Sequence, residues 1–133
     1  MARAVATRRS GYEHEVVIDD HHRLVMDEPE DSGGRDAGPS PTRVVGAALA
    51  ACTAITVEMY ADRKEWDVGE LVVEVEMEYD GPVPSEFTVT LRLPGRLTEE
   101  QLERLRTIAG KCPVHRALAA ETKVSITDRV APL

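Results

Sequence analysis

The sequence predicts an α+β fold in which antiparallel strands pack on one long, buried central helix. Residues 44–57 form a 14-residue run without charge, as expected of a buried helix. Residues 71–80 and 87–93 alternate apolar with polar side chains, which is typical of strands with one buried face. Thr98-Glu99-Glu100-Gln101 fits a capping box at the start of a second helix.

The elements of the first half follow from turn and cap signals. Residues 13–19 and 23–28 are short β-like runs joined by Asp20-His21-His22, which predicts an opening hairpin. The prolines and glycines of residues 29–41 predict an ordered loop. Ser40 suits an N-cap and Pro41 the first helical position, so the long helix is expected to begin there.

The second half predicts a hairpin, two helices and a last strand. Gly81-Pro82-Val83-Pro84 separates the two alternating strands, and Gly110 is expected to end the helix that Thr98 caps. Cys112-Pro113 is expected to open a short helix through Ala120, and residues 123–130 have the pattern of a closing strand. The predicted order is therefore ββ, long α, ββ, α, short α, β.

Length and charge exclude several functional classes. At 133 residues the chain predicts a single domain over residues 1–133, with residues 1–10 as a flexible basic tail. A net charge of -8 argues against nucleic-acid partners, because phosphate binding needs clustered cations. No apolar segment of a secretory signal follows the first arginines, and a 14-residue apolar run favours a buried helix over a membrane span. We therefore expect a cytoplasmic protein without a membrane partner.

The chain contains two cysteines, Cys52 and Cys112. In the cytoplasm such thiols are more often free, catalytic or metal-binding than disulfide-bonded. Cys112 lies at a predicted helix N-terminus beside Lys111, and both features favour a thiolate. Cys52 has no such neighbour, and apolar burial alone would make it inert. From the residues alone, two buried cysteines that merely pack are as well supported as thiol chemistry.

Several short motifs resemble the OsmC/Ohr family of osmotically inducible and organic hydroperoxide resistance proteins. They are Gly-Pro-Ser-Pro at residues 38–41, Ala-Ala-Leu-Ala-Ala-Cys at 47–52 and Lys-Cys-Pro-Val-His at 111–115. Asp-Glu-Pro at 27–29 and Gly-Gly at 33–34 resemble its OsmC-like branch. The motifs occur in the expected order, and the resemblance extends from about Tyr12 to Asp128.

The resemblance implies a thiol peroxidase with an OsmC-like fold, built as an intertwined homodimer with active sites at the subunit interface. Cys52 would be the nucleophile that a hydroperoxide oxidises to a sulfenic acid, and Cys112 would then form a disulfide with it. The substrate implied is a small organic hydroperoxide. An external dithiol of lipoyl type would reopen the disulfide, with no bound cofactor and no metal.

One expected feature of the family is missing. Family members place a glutamate early in the long helix and an arginine on an N-terminal segment, which together activate the first thiol; here Thr42 and Arg43 stand in the glutamate region. Arg43 is nine residues before Cys52, about 13 Å along a helix, and is a poor direct partner. The alternative is a non-enzymatic OsmC-like redox sensor or structural dimer module with weak or no peroxidase activity. Candidates for the activating arginine are Arg8, Arg9, Arg23 and Arg35.

Other groups of polar or aromatic residues support weaker hypotheses. The Asp-Asp-His-His run at 19–22 has metal-ligand composition, but adjacent residues in a tight turn rarely converge on one ion. His115 could pair with Cys112 in a Cys-His hydrolase, yet no residue is evident to orient it, and a solvent- or interface-facing position is expected. Tyr60 and Trp66 are expected to pack at the end of the long helix.

Overall fold

A computed structural model describes residues 1–133 and shows an α+β fold with antiparallel sheets and three helices. One sheet has the strand order β1-β2-β3 and the other pairs β4 with β5. The chain order is therefore βββ, long α, ββ, α, α. The predicted α+β class is confirmed, but the structure has an additional first strand and lacks the predicted last strand. The elements are β1 (Ala4–Ser10), β2 (Glu13–Ile18), β3 (His22–Met26), a 3₁₀ turn (Glu30–Ser32), α1 (Pro41–Lys64), β4 (Val72–Asp80), β5 (Val83–Arg92), α2 (Glu99–Ala109) and α3 (Pro113–Leu118).

Backbone contacts divide the chain into two compact units. The first contains residues 1–47 and 77–86, and the second contains residues 48–76 and 87–133. Helix α1 and the β4-β5 hairpin contribute residues to both units. That the whole chain is one domain stays a prediction.

The first strand corrects the expectation of a flexible basic tail. Ala4–Ser10 forms β1, which pairs antiparallel with β2. In this register Ala4 lies opposite Ile18. Arg9 forms an ion pair with Glu15 on the neighbouring strand. Because the ladder with β2 pairs one edge of its backbone and the basic side chain has a partner across it, this exposed segment is ordered.

The loop after β3 is organised around the carboxylate of Asp27. This side chain is 2 % exposed and accepts backbone N–H groups from Glu28 at 2.8 Å and from Arg35 and Ala37 at 3.2 Å each. Burial would raise the pKa of Asp27, but these N–H groups and the charge of Arg35 outweigh it and hold the pKa below its usual value. A Cβ on Gly34 would lie 1.9 Å from the Glu28 carbonyl oxygen, so the turn requires glycine. The predicted ordered loop is confirmed.

We expect Asp27→Asn to lower stability and flatten its acid dependence. A carboxyl whose pKa is lower in the folded state stabilises the fold above its unfolded pKa, near 3.8, and that contribution is lost as pH falls through the folded pKa. The urea midpoint of the Asp27→Asn variant should therefore be lower than wild type at pH 7 and approach it below pH 3.8. Asp31→Asn, at an exposed position of the same loop, is the control. If the urea midpoint of the Asp27→Asn variant is below that of wild type by the same amount at every pH, this prediction is wrong.

Helix α1 begins where the sequence predicts and is buried along one stripe only. Its first turn includes a bond from the Val44 N–H to the Ser40 carbonyl at 3.1 Å. The helix is long and apolar enough to cross a membrane by length and composition, a property it shares with core helices. Only 28 % of its most apolar stretch is buried. The prediction that this helix is buried on all sides is therefore wrong for the single chain. The buried positions recur every three or four residues at Gly46, Leu49, Thr53, Val57 and Ala61.

The opposite stripe of α1 is apolar and exposed. Ile55 and Met59 are 50 % and 60 % exposed, although both are large hydrophobic residues. Alanines continue the same stripe toward the start of the helix. Large exposed apolar patches mark interaction surfaces more often than free surface. We call this row the α1 stripe; its members are Ala48, Ala51, Ile55 and Met59.

Helix α2 supplies the centre of the second unit's core. The Thr98 hydroxyl accepts the Gln101 N–H and the Gln101 side chain accepts the Thr98 N–H, so the predicted capping box is confirmed. Leu105 is fully buried and packs in one cluster with Val57 and Ala61 of α1. The spacing of the apolar residues in α2 therefore places its inner face against α1, inside the second unit.

The β4-β5 hairpin keeps the predicted alternation with a tighter turn. The side chains of Val73, Val75, Met77 and Tyr79 alternate with exposed ones. The turn contains only Gly81 and Pro82, and β5 already begins at Val83. Gly81 has a φ of +59°, which an L side chain would disfavour.

The predicted closing strand is wrong. Residues 123–130 form no strand, and the side chains of Val124 and Ile126 are 61 % and 84 % exposed. Their β-branched pattern favours extended backbone, but a strand also needs a neighbour whose N–H and C=O groups complete the ladder. Within this chain residues 123–130 have no such neighbour.

Candidate functional site

The two cysteines are free and lie beside each other in the second unit. Cys52 is half-buried in the middle of α1, and Cys112 is fully buried at the start of α3. The Cys52 side chain lies close enough to the Cys112 thiol to affect its pKa. The fold therefore brings together residues that are 60 positions apart in the sequence.

Local backbone signals fix the position of Cys112. Gly110 ends α2, and the Cys112 N–H donates to the Ala109 carbonyl at 3.3 Å. Cys112 is the N-cap of α3, with Pro113 at the first helical position, as the sequence predicts. Its sulfur accepts the His115 backbone N–H at 3.4 Å. The thiol is thus held by a helix terminus and cannot rotate freely.

Burial decides the ionisation of Cys112. Removal from water raises the pKa of this thiol above its usual 9.0, and the neighbouring Cys52 side chain raises it further. The backbone N–H groups of His115 and Val114 and the Thr53 hydroxyl lower it, but they do not outweigh burial. The N–H groups at the helix terminus lower the pKa of Cys112, as the sequence predicts. The expectation that the helix terminus makes Cys112 a reactive thiolate is wrong, because the thiol is fully buried.

Thr53 is a residue near the site that sequence reasoning missed. Its side chain is 1 % exposed, and its Oγ1 has no hydrogen-bond partner of ordinary geometry. It lies close enough to Cys112 to lower the pKa of that thiol. The available signal was its place in the buried stripe of α1, four residues after Leu49 and four before Val57, where a hydroxyl is unexpected.

We expect Thr53→Val to leave stability unchanged or to raise it by up to about 1 kcal/mol, because the variant removes a buried hydroxyl without a hydrogen bond and keeps its shape. It should also raise the pKa of Cys112, since one of the groups that lower it is lost. Urea unfolding and the pH profile of thiol alkylation in a Cys52→Ala background measure the two effects. Thr56→Val, on the same helix, is the control. A stability loss of several kcal/mol would show that the hydroxyl is hydrogen-bonded in solution.

His115 is not arranged as a base for Cys112. Its backbone N–H, rather than its ring, contacts the sulfur. The ring Nδ1 is enclosed and lies 3.6 Å from a carboxylate oxygen of Glu121. The half-buried residue lines cavities beside Phe87 and Val89, and its side chain is 40 % exposed, as the expected solvent- or interface-facing position allows. The geometry gives a Cys-His hydrolase no support.

Two small cavities of the second unit are lined by sequence neighbours of the cysteines, although neither cysteine lines them. One has a volume of about 270 Å³ and the other about 180 Å³, and both are lined by Phe87, Val89 and His115. Thr53 lines the larger and Leu49 the smaller, so each contains a close neighbour of Cys52 along α1. Arg106 lines the larger cavity and pairs with Glu103 at 2.7 Å. The walls of the smaller cavity are mainly apolar, whereas those of the larger are about equally polar and apolar.

The four candidate activating arginines bind acceptors of the first unit. Arg8 Nε donates to the Gly11 carbonyl at 2.9 Å. Arg9 and Arg23 both pair with Glu15. The remaining candidate, Arg35, pairs with Glu13 at 3.2 Å. Each guanidinium therefore has a local structural role in its own unit.

The residues in the family's glutamate region bind Tyr79. The Thr42 hydroxyl lies 3.1 Å from the Tyr79 hydroxyl. Arg43 donates to the same oxygen at 2.9 Å, and its guanidinium lies 5.2 Å from the ring centroid. These contacts fasten the first turn of α1 to β4 within the first unit.

The acidic and histidine-rich turn at residues 19–22 has a local structural explanation. Asp19 accepts the Arg3 backbone N–H at 3.0 Å, and Asp20 pairs with the Arg3 side chain at 3.6 Å. The rings of His21 and His22 lie 3.9 Å apart. Both carboxylates thus bind Arg3, the residue before β1.

Comparison with known proteins identifies the family. The model of the family described as OsmC-like protein matches residues 33–127, more than half of the chain. None of the curated proteins matches the sequence in a direct comparison. Solved structures with the same fold include a protein of Psychrobacter arcticus 273-4 associated by name with osmotic stress and detoxification (20% identity, 86% of this chain and 85% of that chain, TM-score 0.79).

Two further similar structures carry related names. One is an OsmC like protein from Mycoplasma pneumoniae, at 18% identity over 90% of this chain and 86% of that chain, with a TM-score of 0.72. Another is an organic hydroperoxide resistance protein from Elizabethkingia anophelis, at 22% identity over 88% and 86%, with a TM-score of 0.70. The fold, the order of the motifs and the match over residues 33–127 agree, and the chain belongs to the OsmC-like protein family.

Proposed function

We propose that the protein is a thiol-dependent peroxidase that reduces organic hydroperoxides to alcohols through Cys52 and Cys112. The observation that carries this proposal is the proximity of two free thiols from distant parts of the sequence, one half-buried and one fully buried. Similar structures named organic hydroperoxide resistance proteins, from Elizabethkingia anophelis and Legionella pneumophila, support the substrate class. Sulfur chemistry with peroxides needs a nucleophilic thiol and a means of protecting its oxidised form, and a thiol pair supplies both.

The first step is a two-electron oxidation of Cys52. Its thiolate attacks one oxygen of the hydroperoxide, the O–O bond breaks, and the departing alkoxide takes a proton and leaves as the alcohol. Cys52 is then a sulfenic acid. The Cys112 sulfur attacks the Cys52 sulfur, the hydroxide that leaves takes the Cys112 proton, and one water and one disulfide result. An external dithiol of lipoyl type returns two electrons and two protons, so no bound cofactor or metal is needed.

The two environments suit different roles for the two thiols. Cys52 is half-buried and can be reached, whereas Cys112 is fully buried. Because burial raises the pKa of Cys112, it stays protonated near neutral pH and reacts poorly with peroxide itself. It becomes reactive when an electrophilic sulfur forms beside it. These environments support Cys52 as nucleophile and Cys112 as resolver.

The cavities beside the pair favour an organic substrate. Phe87 and Val89 line both, and Leu91 and Leu118 extend one each. An alkyl or aryl group gains free energy when it leaves water for such walls, and hydrogen peroxide has no group that can. We expect bulky organic hydroperoxides to be consumed faster than hydrogen peroxide.

The proposed assembly is a homodimer in which a second copy covers the α1 stripe. Ile55 and Met59 on this stripe are 50 % and 60 % exposed, and contiguous exposed apolar surface often marks an interface. Residues 123–130 carry a strand pattern without a strand partner in the same chain, which a second copy could supply. Light scattering should give twice the chain mass of 14.6 kDa. A cytoplasmic location, without membrane or nucleic-acid partners, belongs to the same proposal.

A redox sensor is the second candidate function. It is favoured by Thr42 and Arg43, which bind Tyr79 at the place where the family resemblance expects a glutamate that activates the first thiol. A sensor would use the same thiol pair and form the same disulfide. It would differ in turning over slowly or not at all with dithiols.

Intact-mass measurement separates these functions. Wild-type protein treated with one equivalent of cumene hydroperoxide should lose two hydrogens rapidly, and dihydrolipoamide should restore the mass and sustain repeated turnover. Oxidation without repeated turnover would indicate the sensor. An unchanged mass would show that the cysteines only pack. Protein alkylated before the peroxide is added is the control.

A further inference from the structure

A larger cavity lies at the C-terminal end of α1, within the second unit. Its volume is about 640 Å³, inside the range of small-molecule sites. It shares no lining residue with the two cavities beside the cysteines. The proposed peroxidase chemistry therefore leaves this cavity without a role. Its lining comes from α1, from the segment after it and from α2: Tyr60, Lys64, Trp66, Thr98, Glu100, Gln101, Glu103, Arg104 and Thr107.

Two half-buried aromatic rings form the apolar part of the lining. The rings of Tyr60 and Trp66 meet edge to face, with centroids 5.7 Å apart and planes at 71°. Trp66 is the only tryptophan of the chain. Edge-to-face contact leaves ring surface available to a third planar group.

Three cations converge on the same aromatic pair. The charged groups of Arg63, Lys64 and Arg104 lie 5.9, 5.8 and 5.5 Å from the centre of the Tyr60 ring. Arg104 Nε also donates to the Tyr60 hydroxyl at 2.9 Å. Arg63 and Lys64 are one helical turn from Tyr60, whereas Arg104 reaches it from α2. The cluster therefore depends on the tertiary fold as well as on helical spacing.

These three cations have no carboxylate partners, although the chain has a net charge of -8. Seven other arginines form salt bridges with acids, and none of the three does. Two acidic residues line the cavity. Glu103 forms an ion pair with Arg106, so Glu100 is the lining carboxylate that remains to oppose the three positive charges. The hydrogen bond from Arg104, and then the nearby charges, lower the pKa of Tyr60, as expected where the local potential is positive.

We propose that this cavity binds a small planar aromatic molecule that carries an anionic group, with its ring against Tyr60 and Trp66 and its anion between Lys64 and Arg104. A ring alone would leave the cations without partners, and an inorganic anion alone would not use the aromatic walls. A guanidinium and an ammonium on different helices can approach one anion from two sides. The ligand is thus recognised by ring and charge together.

Fluorescence of Trp66 tests the proposal directly, because no other tryptophan contributes. AMP serves as the probe, with adenosine as the ring without the anion and ribose 5-phosphate as the anion without the ring. AMP should change the emission saturably, adenosine should bind at least about tenfold more weakly, and ribose 5-phosphate should leave the emission unchanged. Equal responses to AMP and adenosine, or no saturation by AMP at millimolar concentration, would overturn the proposal.

Variants identify the groups that bind. Lys64→Gln and Arg104→Gln should each weaken AMP binding about tenfold, and Arg104→Lys should retain part of it. Arg92→Gln is the matched control, because Arg92 pairs with Glu74 outside the cavity. Thermal unfolding of each variant shows that it is folded. A wild-type affinity in both Gln variants would contradict the role of the cations. Binding by Cys52→Ser protein should be unchanged, so this result is independent of the proposed peroxidase.

Discussion

Cys52→Ser is expected to abolish dithiol-dependent consumption of an organic hydroperoxide, with residual activity below about 1 % of wild type. A serine hydroxyl at the same position is a far weaker nucleophile toward oxygen than a thiolate. Cys112→Ser should behave differently, because the first oxidation needs Cys52 alone. It should consume about one equivalent of hydroperoxide per chain and stop at a sulfenic acid on Cys52, which dimedone labels.

The controls for this pair of variants separate chemistry from folding. Thr56→Ser introduces a serine on the same helix without touching a thiol and should turn over normally. Thermal unfolding should show that both cysteine variants are folded, since serine is close to cysteine in size. Normal turnover by the Cys52→Ser variant would contradict the assignment. If a sulfenic acid instead forms on Cys112 in the Cys52→Ser variant, the two roles are exchanged.

Leu105→Ala is expected to lower the free energy of unfolding by about 2–5 kcal/mol. Leu105 is fully buried and packs in one cluster with Val57 and Ala61, so truncation removes apolar contacts and leaves a cavity. Because a domain of this size is stable by roughly 5–15 kcal/mol in total, the loss is a large fraction. Urea unfolding should show a lower midpoint with an unchanged slope.

Leu118→Ala is the matched control for Leu105→Ala. Leu118 is the same residue type on a neighbouring helix, and it is 45 % exposed. Its truncation should cost less than about 1 kcal/mol in a single chain. A Leu105→Ala variant no less stable than the Leu118→Ala variant would show that α2 does not carry the core of this unit.

Elements with local signals could be predicted from the sequence. The start of α1 at Pro41 and the capping box at Thr98 depend on residues within one turn, and both are confirmed. The alternation of β4 is equally local, because each side chain's face follows from its position. The flexible tail predicted at residues 1–10 and the closing strand predicted at residues 123–130 were wrong, because strands depend on partners. Ala4–Ser10 finds β2 despite an ordinary composition, and residues 123–130 find no partner despite a favourable one.

The two candidate cysteines could be chosen from the sequence, but the pKa of Cys112 could not be predicted from it. Both cysteines stand out in the sequence, and the family resemblance implies that they act together. The raised pKa of Cys112 depends on burial by distant parts of the chain, which the local helix-terminus argument does not include. Thr53 was missed for the same reason, since only the packed structure shows its hydroxyl buried beside a thiol.

The capping role of Cys112 links the oxidation state of the thiol to the backbone of α3. The sulfur that would enter the disulfide is the acceptor for the His115 N–H. A thiolate accepts such a bond more strongly than a thiol, and a disulfide sulfur accepts it weakly. By thermodynamic linkage, the cap that stabilises α3 also favours the reduced protein. The His115 amide is therefore a built-in reporter whose hydrogen exchange should quicken when the pair is oxidised and slow again when a dithiol reduces it.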